Sequence, residues 1–166
     1  MSFALSDPSH HFGVIILKTA LGEAVGSEPV LELGDTANRC PPELLSFDRR
    51  GRRLDEVRFH PAYHQLMALA MEHRIHDIAW SDDRPGGHVA HAALLALFTQ
   101  AEAGTMCPMS MTYSAVPALR RTPQVGQPWL GKLIGGRYDA PLRPLAEKKG
   151  VTIGMAMTEK QGGSDV

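Results

Sequence analysis

The chain has 166 residues, a formal net charge of -1 and two cysteines, with a pI of about 6.7. That length suits one domain with a buried core, and the near-neutral balance excludes a global field that recruits nucleic acid or anionic lipid. Cys40 and Cys107 lie far apart and form no C-x-x-C, which fits a reducing compartment better than a disulfide framework.

The first apolar run, Phe12-Gly13-Val14-Ile15-Ile16-Leu17, falls short of the roughly 20 residues a membrane span needs. The two histidines before it are not the basic segment of a signal peptide. Phe12, Ile15, Ile16, Thr19 and Ala20 have helical spacing, so a buried helix is expected from His11 to about Val25, in a soluble, cytoplasmic protein with no membrane partner. A second helix is expected over Glu28 to about Asn38, burying Val30, Leu31, Leu33 and Ala37, until Cys40-Pro41-Pro42 ends it.

From Asp48 to Arg58 the chain reads D-R-R-G-R-R-L-D-E-V-R. Gly51 predicts a tight turn flanked by extended chain. The five arginines invite a nucleic-acid reading, but Asp48, Asp55 and Glu56 interleave with them and no aromatic platform lies alongside. A solvated, ion-paired surface is the favoured reading.

Pro61 opens a predicted helix running to Trp80, with Leu66, Met67, Leu69, Ala70 and Met71 as its apolar stripe. Ser81 to Gly87 reads as a loop. The following helix, His88 to Ala103, is apolar almost all round and must be wrapped by others. Met106-Cys107-Pro108-Met109-Ser110-Met111 is rich in thioethers. Such a run lines a flat apolar ligand site or, more commonly, fills a core. Helices are expected from Thr112 to Arg121, interrupted at Pro117, and from Trp129 to Ile134, and Gly150 to Met157 is the one convincing strand.

Three histidine pairs, His60/His64, His73/His76 and His88/His91, have spacings that share a helix face. None brings the third ligand zinc requires, so no metal site is expected. The motifs G-x-S-x-G, G-x-G-x-x-G and G-x-x-x-x-G-K-[ST] are absent. At the end of the chain Thr158 and Gly162-Gly163-Ser164 offer hydroxyls and close-approaching N–H groups to an anion such as a pyrophosphate, although such a turn alone is more often only a turn.

The stretch Gly154-Met155-Ala156-Met157-Thr158-Glu159-Lys160-Gln161-Gly162-Gly163-Ser164-Asp165 resembles the strand and T-E-x-x-x-G-S-D signature of the acyl-CoA dehydrogenase superfamily, with Lys160 where most members have proline. Lys160-Gln161-Gly162-Gly163 is similar to the AidB-like branch, linked to the adaptive response to DNA alkylation. Pro41-Pro42-Glu43-Leu44-Leu45, Gly51-Arg52-Arg53-Leu54-Asp55, Val57-Arg58-Phe59-His60-Pro61, Glu102-Ala103-Gly104 and Cys107-Pro108-Met109-Ser110-Met111-Thr112 agree with that branch, so the likeness runs from about Leu31 to Val166.

The resemblance implies a mainly α fold: a helical segment over 1–30, an acyl-CoA dehydrogenase-like N-terminal helical domain over 31–148, and over 149–166 the first strand and FAD-contacting turn of a truncated middle β domain. It implies an FAD-dependent parent that oxidises the Cα–Cβ bond of an acyl-CoA and assembles as a homotetramer. DNA binding would belong to the missing C-terminal region, and so would the catalytic carboxylate, leaving no catalytic residue here. FAD contacts carry over to Met155, Met157, Thr158, Gly162, Gly163 and Ser164, with Ser164 also near the acyl-CoA and the segment around Met109 near the acyl or flavin site. By itself the fragment is expected to be inactive. A helical interaction or oligomerisation module without enzyme function is the alternative, and a nucleic-acid-binding protein using Arg49 to Arg58 a third reading.

Overall fold

Leu21 and Val25 stand four residues apart, on one face of a helix, and both are buried. They belong to α1, helical over residues 19–25 of the computed structural model, which describes residues 19–81 and 85–156. The expected start of this helix at His11 lies outside the described residues. Ser27 then breaks the chain for α2 (Glu28–Arg39), which has Pro29 in its first turn and Arg39 in its last, both suited to those ends. Val30, Leu33 and Ala37 pack against the core, whereas Leu31 stays 44% exposed. The inward stripe runs 30, 33, 34, 37, which turns Leu31 to the flank. Gly34 lies in it because a Cβ there would stand 2.3 Å from the Ala101 carbonyl oxygen.

The arginine-rich run folds as an antiparallel hairpin of β1 (Glu43–Phe47) and β2 (Arg53–Arg58). Leu44 faces Val57 and Glu43 faces Arg58, and the register shifts between Leu45 and Phe47. Gly51 occupies the left-handed region at φ 75°. The Asp48 carboxylate closes the turn by accepting the N–H groups of Arg50 and Arg52. The turn with extended flanks was expected, but these strands were not, since charges dominate their pattern.

His60 caps α3 (Pro61–Glu72), its Nδ1 accepting from the Ala62 amide at 3.2 Å. Ala62, Leu66, Met67, Ala70 and Met71 are its buried side. The helix ends at Glu72 rather than Trp80, because Arg74 turns left-handed at φ 60° and the chain continues in turns. Next, α4 (Gly87–Thr99) stops before Ala103, and the Glu102 carboxylate accepts the amides of Gly104 and Thr105 at 2.5 and 2.6 Å, anchoring the start of α5 (Met106–Arg121). Helix α5 starts six residues before the expected Thr112. Pro108 falls in the first turn, where its missing N–H has no consequence, and Pro117 is held inside the helix. The last helix, α6 (Pro123–Leu133), starts six residues before Trp129 and crosses α5 closely, since a Cβ on Gly126 would meet the Leu119 oxygen at 2.2 Å.

Leu21, Val25, Leu66, Met67, Ile75, Leu94, Phe98, Met106 and Met109 form one core. The architecture is mainly helical, with a two-stranded sheet as its one sheet among the described residues. No described helix is long and apolar enough to cross a membrane.

Candidate functional site

After α6 the chain returns across its own path at two glycines. A Cβ on Gly136 would meet the Gly150 Cα at 3.1 Å, and one on Gly150 would strike the Arg137 backbone, so only glycine permits this crossing. Lys132 Nζ fixes the returning strand end by donating to the carbonyls of Ala146 and Lys148 at 3.2 and 2.5 Å. The Val151 amide donates to the Lys132 carbonyl at 3.1 Å.

Residues 150–156 form no strand, contrary to the strand expected over Gly150–Met157; Met157 itself lies outside the described residues. Helix α5 receives the alternate amides instead. Ile153 donates to Thr112 Oγ1 at 3.1 Å, and Met155 approaches Met111 Sδ at 3.4 Å. Thr112 is buried and Met155 is 44% exposed. The other set, Thr152, Gly154 and Ala156, is exposed, and a Cβ at Gly154 would meet nothing within 4 Å. One edge of the segment is thus sewn to the helix, while the other stays open.

Of the expected FAD contacts, only Met155 falls among the described residues; Met157, Thr158, Gly162, Gly163 and Ser164 lie outside them. The Met-rich run divides: Met106 and Met109 fill the core, and Met111 reaches the extended segment. The core-filling reading of that run therefore holds for Met106 and Met109.

Beside α3 lies a cleft of about 450 Å³, lined by Val57, Phe59, Tyr63, Tyr138, Val151 and Thr152 among others. Phe59 and Tyr63 stack at 4.1 Å. Tyr138 OH bonds His64 Nδ1 at 2.7 Å, and burial followed by the neighbouring Tyr63 pushes the Tyr138 pKa up to about 12. It remains a neutral phenol at physiological pH.

Three further histidines lie near the core. His91 Nδ1 bonds the Ile75 carbonyl at 2.7 Å and its ring stacks on Tyr113 at 3.7 Å, while His88 Nδ1 bonds the Tyr113 hydroxyl. His76 is buried with neither ring nitrogen hydrogen-bonded. Burial lowers its pKa, against the opposing pull of Asp77. No three His, Cys, Asp or Glu side chains converge on a metal position among the described residues.

Two features escaped the sequence reading. Asp77 is a buried carboxylate that accepts from Arg74 Nη2 at 3.1 Å and from the Gly135 amide at 2.7 Å, tying the turn after α3 to the end of α6. Trp80 Nε1 donates to the Tyr113 carbonyl at 2.9 Å, and the Arg120 guanidinium lies 5.5 Å from its ring centroid. The hairpin arginines follow the favoured reading: Arg52 pairs with Asp48, Arg53 with Asp55 and Arg58 with Glu56.

The sequence profile of the family described as the adaptive response protein AidB N-terminal domain matches residues 16–140. The chain belongs to the AidB N-terminal domain family. The Escherichia coli (strain K12) protein named "Putative acyl-CoA dehydrogenase AidB" is 50% identical over 149 residues, covering 89% of this chain and 28% of that protein. Acyl-CoA dehydrogenase family member 11 of Caenorhabditis elegans is 33% identical over 147 residues, 87% of this chain and 23% of its own. This AidB N-terminal domain therefore spans about a quarter of the length of these relatives. The crystal structure of C. elegans ACDH-11 in complex with C11-CoA superposes with a TM-score of 0.78 at 28% identity, over 97% of this chain and 27% of that one. The apo-form of Bd2924 gives 0.79 at 28% identity, over 97% and 31%.

Proposed function

We propose that this AidB N-terminal domain is the helical part of an FAD-dependent acyl-CoA dehydrogenase, in which residues 155–164 form one edge of the flavin site. The observation that carries the proposal is the seating of residues 151–156 on α5 through Thr112 and Met111, directly ahead of Met157-Thr158-Glu159-Lys160-Gln161-Gly162-Gly163-Ser164. The open edge at Gly154 and the Met111–Met155 thioether pair fit a flat, apolar ring with polar atoms along its rim.

FAD, when bound, supplies the acceptor for the hydride that leaves the β carbon. In this reading Met155, Met157 and Thr158 would hold the isoalloxazine ring, the Thr158 hydroxyl serving as its hydrogen-bond partner. Gly162 and Gly163 allow backbone N–H groups to approach the pyrophosphate, and Ser164 lies between that group and the acyl-CoA. The base that takes the α proton belongs to the part of the relatives this chain does not span, as does the DNA-binding surface, in a parent that assembles as a homotetramer. A cytoplasmic enzyme connected with the alkylation response is the wider proposal.

The test is flavin retention. The 166-residue chain mixed with FAD and passed through a desalting column should emerge colourless and fail to reduce a dye with an acyl-CoA. The longer gene product should be yellow. A yellow, active short chain contradicts the division of the site between two parts of the protein. A colourless longer product favours the helical interaction module instead.

A further inference from the structure

Between α6 and the segment seated on α5, the chain closes a loop on two facing side chains. Lys148 Nζ lies 3.8 Å from Asp139 Oδ1 and donates to the carbonyls of Asp139 and Pro141. At 14% and 8% exposure these side chains are better shielded from water than an ordinary surface ion pair. Asp139 Oδ2 also accepts the Lys149 amide at 2.9 Å, and the adjacent Tyr138 is tied to α3 through His64.

The Lys149 bond opens a series. The amides of Lys149, Val151, Ile153 and Met155 go in turn to Asp139 Oδ2, the Lys132 carbonyl, Thr112 Oγ1 and Met111 Sδ. Every second amide is held, each by a different residue. The acceptors are unequal: a carbonyl and a hydroxyl are neutral and a thioether is weak, whereas a carboxylate makes a charge-assisted bond. Asp139 supplies that carboxylate, at the end where the series begins. A slip by one residue would offer the even amides in place of the odd ones and turn Met155 away from Met111.

We propose that Asp139 is a positioning residue that sets the register of residues 149–155 and so fixes Met155 against α5. Its consequence for cofactor binding rests on the flavin reading, in which Met155 begins the flavin edge. The register itself is a property of this chain alone.

Asp139→Leu removes the acceptor, and Asp139→Asn keeps an oxygen in its place. In the 166-residue chain, amide exchange at Ile153 and Met155 should accelerate about tenfold or more in Asp139→Leu, a local opening that leaves Leu66 unchanged, and should recover most of the way in Asp139→Asn. In the longer gene product the flavin-to-protein absorbance ratio should fall severalfold in Asp139→Leu and recover in Asp139→Asn, with unchanged helical circular dichroism. Unaltered exchange at Ile153 and Met155 in Asp139→Leu overturns the proposal, whatever the flavin content. So does a flavin ratio that falls in Thr158→Val but holds in Asp139→Leu, a result that leaves the flavin reading standing. A colourless longer product counts against the flavin reading instead, and the exchange rates then decide the register role by themselves.

Discussion

Thr112 Oγ1 accepts the Ile153 amide at 3.1 Å across forty-one residues of chain. The acceptor is buried at 1% exposure, so this one bond sets where the extended segment leaves the helical body.

Thr112→Val keeps the shape and removes the acceptor. The expected loss is about 1 kcal/mol, the net worth of one such bond, read as a lower urea midpoint with unchanged m-value. Amide exchange at Ile153 should accelerate more than at Leu66, in the core of α3.

Glycines separate close packing from mere propensity. Gly34→Ala drives a Cβ against the Ala101 oxygen at 2.3 Å and should destabilise by about 1–3 kcal/mol. Gly131→Ala, in α6 with nothing within 4 Å of its Cβ, should instead stabilise by up to about 1 kcal/mol. Thermal denaturation of the two variants should move in opposite directions.

Burial lowers the pKa values of His76 and His91. Their folded-state affinity for protons is below that of the unfolded chain, whose histidines titrate near 6.5. As pH falls through that value the unfolded state binds the extra protons, and stability declines. The urea midpoint should therefore drop between about pH 7 and pH 5. Asp48 and Asp139, both with pKa lowered by backbone hydrogen bonds first of all, lose their contributions only further down, below 3.8. His76→Gln with His91→Gln should flatten the upper part of the profile.

These elements were unequally legible. Val30, Leu33 and Ala37 repeat at helical spacing and gave α2 almost to the residue, and Gly51 gave the turn of the hairpin. The strands beside that turn were hidden because Arg53, Asp55, Glu56 and Arg58 are charged on both faces, as befits a hairpin that stands off the core. Proline misled at α5: Pro117 read as an interruption, but it lies inside the helix beside buried Val116. β-Branched Val151, Thr152 and Ile153 signalled a strand, but none forms over residues 150–156. That their amides go to Lys132 and Thr112 rather than to a strand depends on contacts distant in sequence. Asp77 gave no signal, because its partners Arg74 and Gly135 meet it only after folding.

The central proposal is that Thr158, two residues beyond the segment 151–156 in sequence, holds the flavin edge. The most direct test is the flavin-to-protein absorbance ratio of the longer gene product with and without Thr158→Val. A ratio that falls severalfold in the variant, with helical content retained, is the predicted result. An unchanged ratio, or a coding frame that stops after Val166, would contradict it.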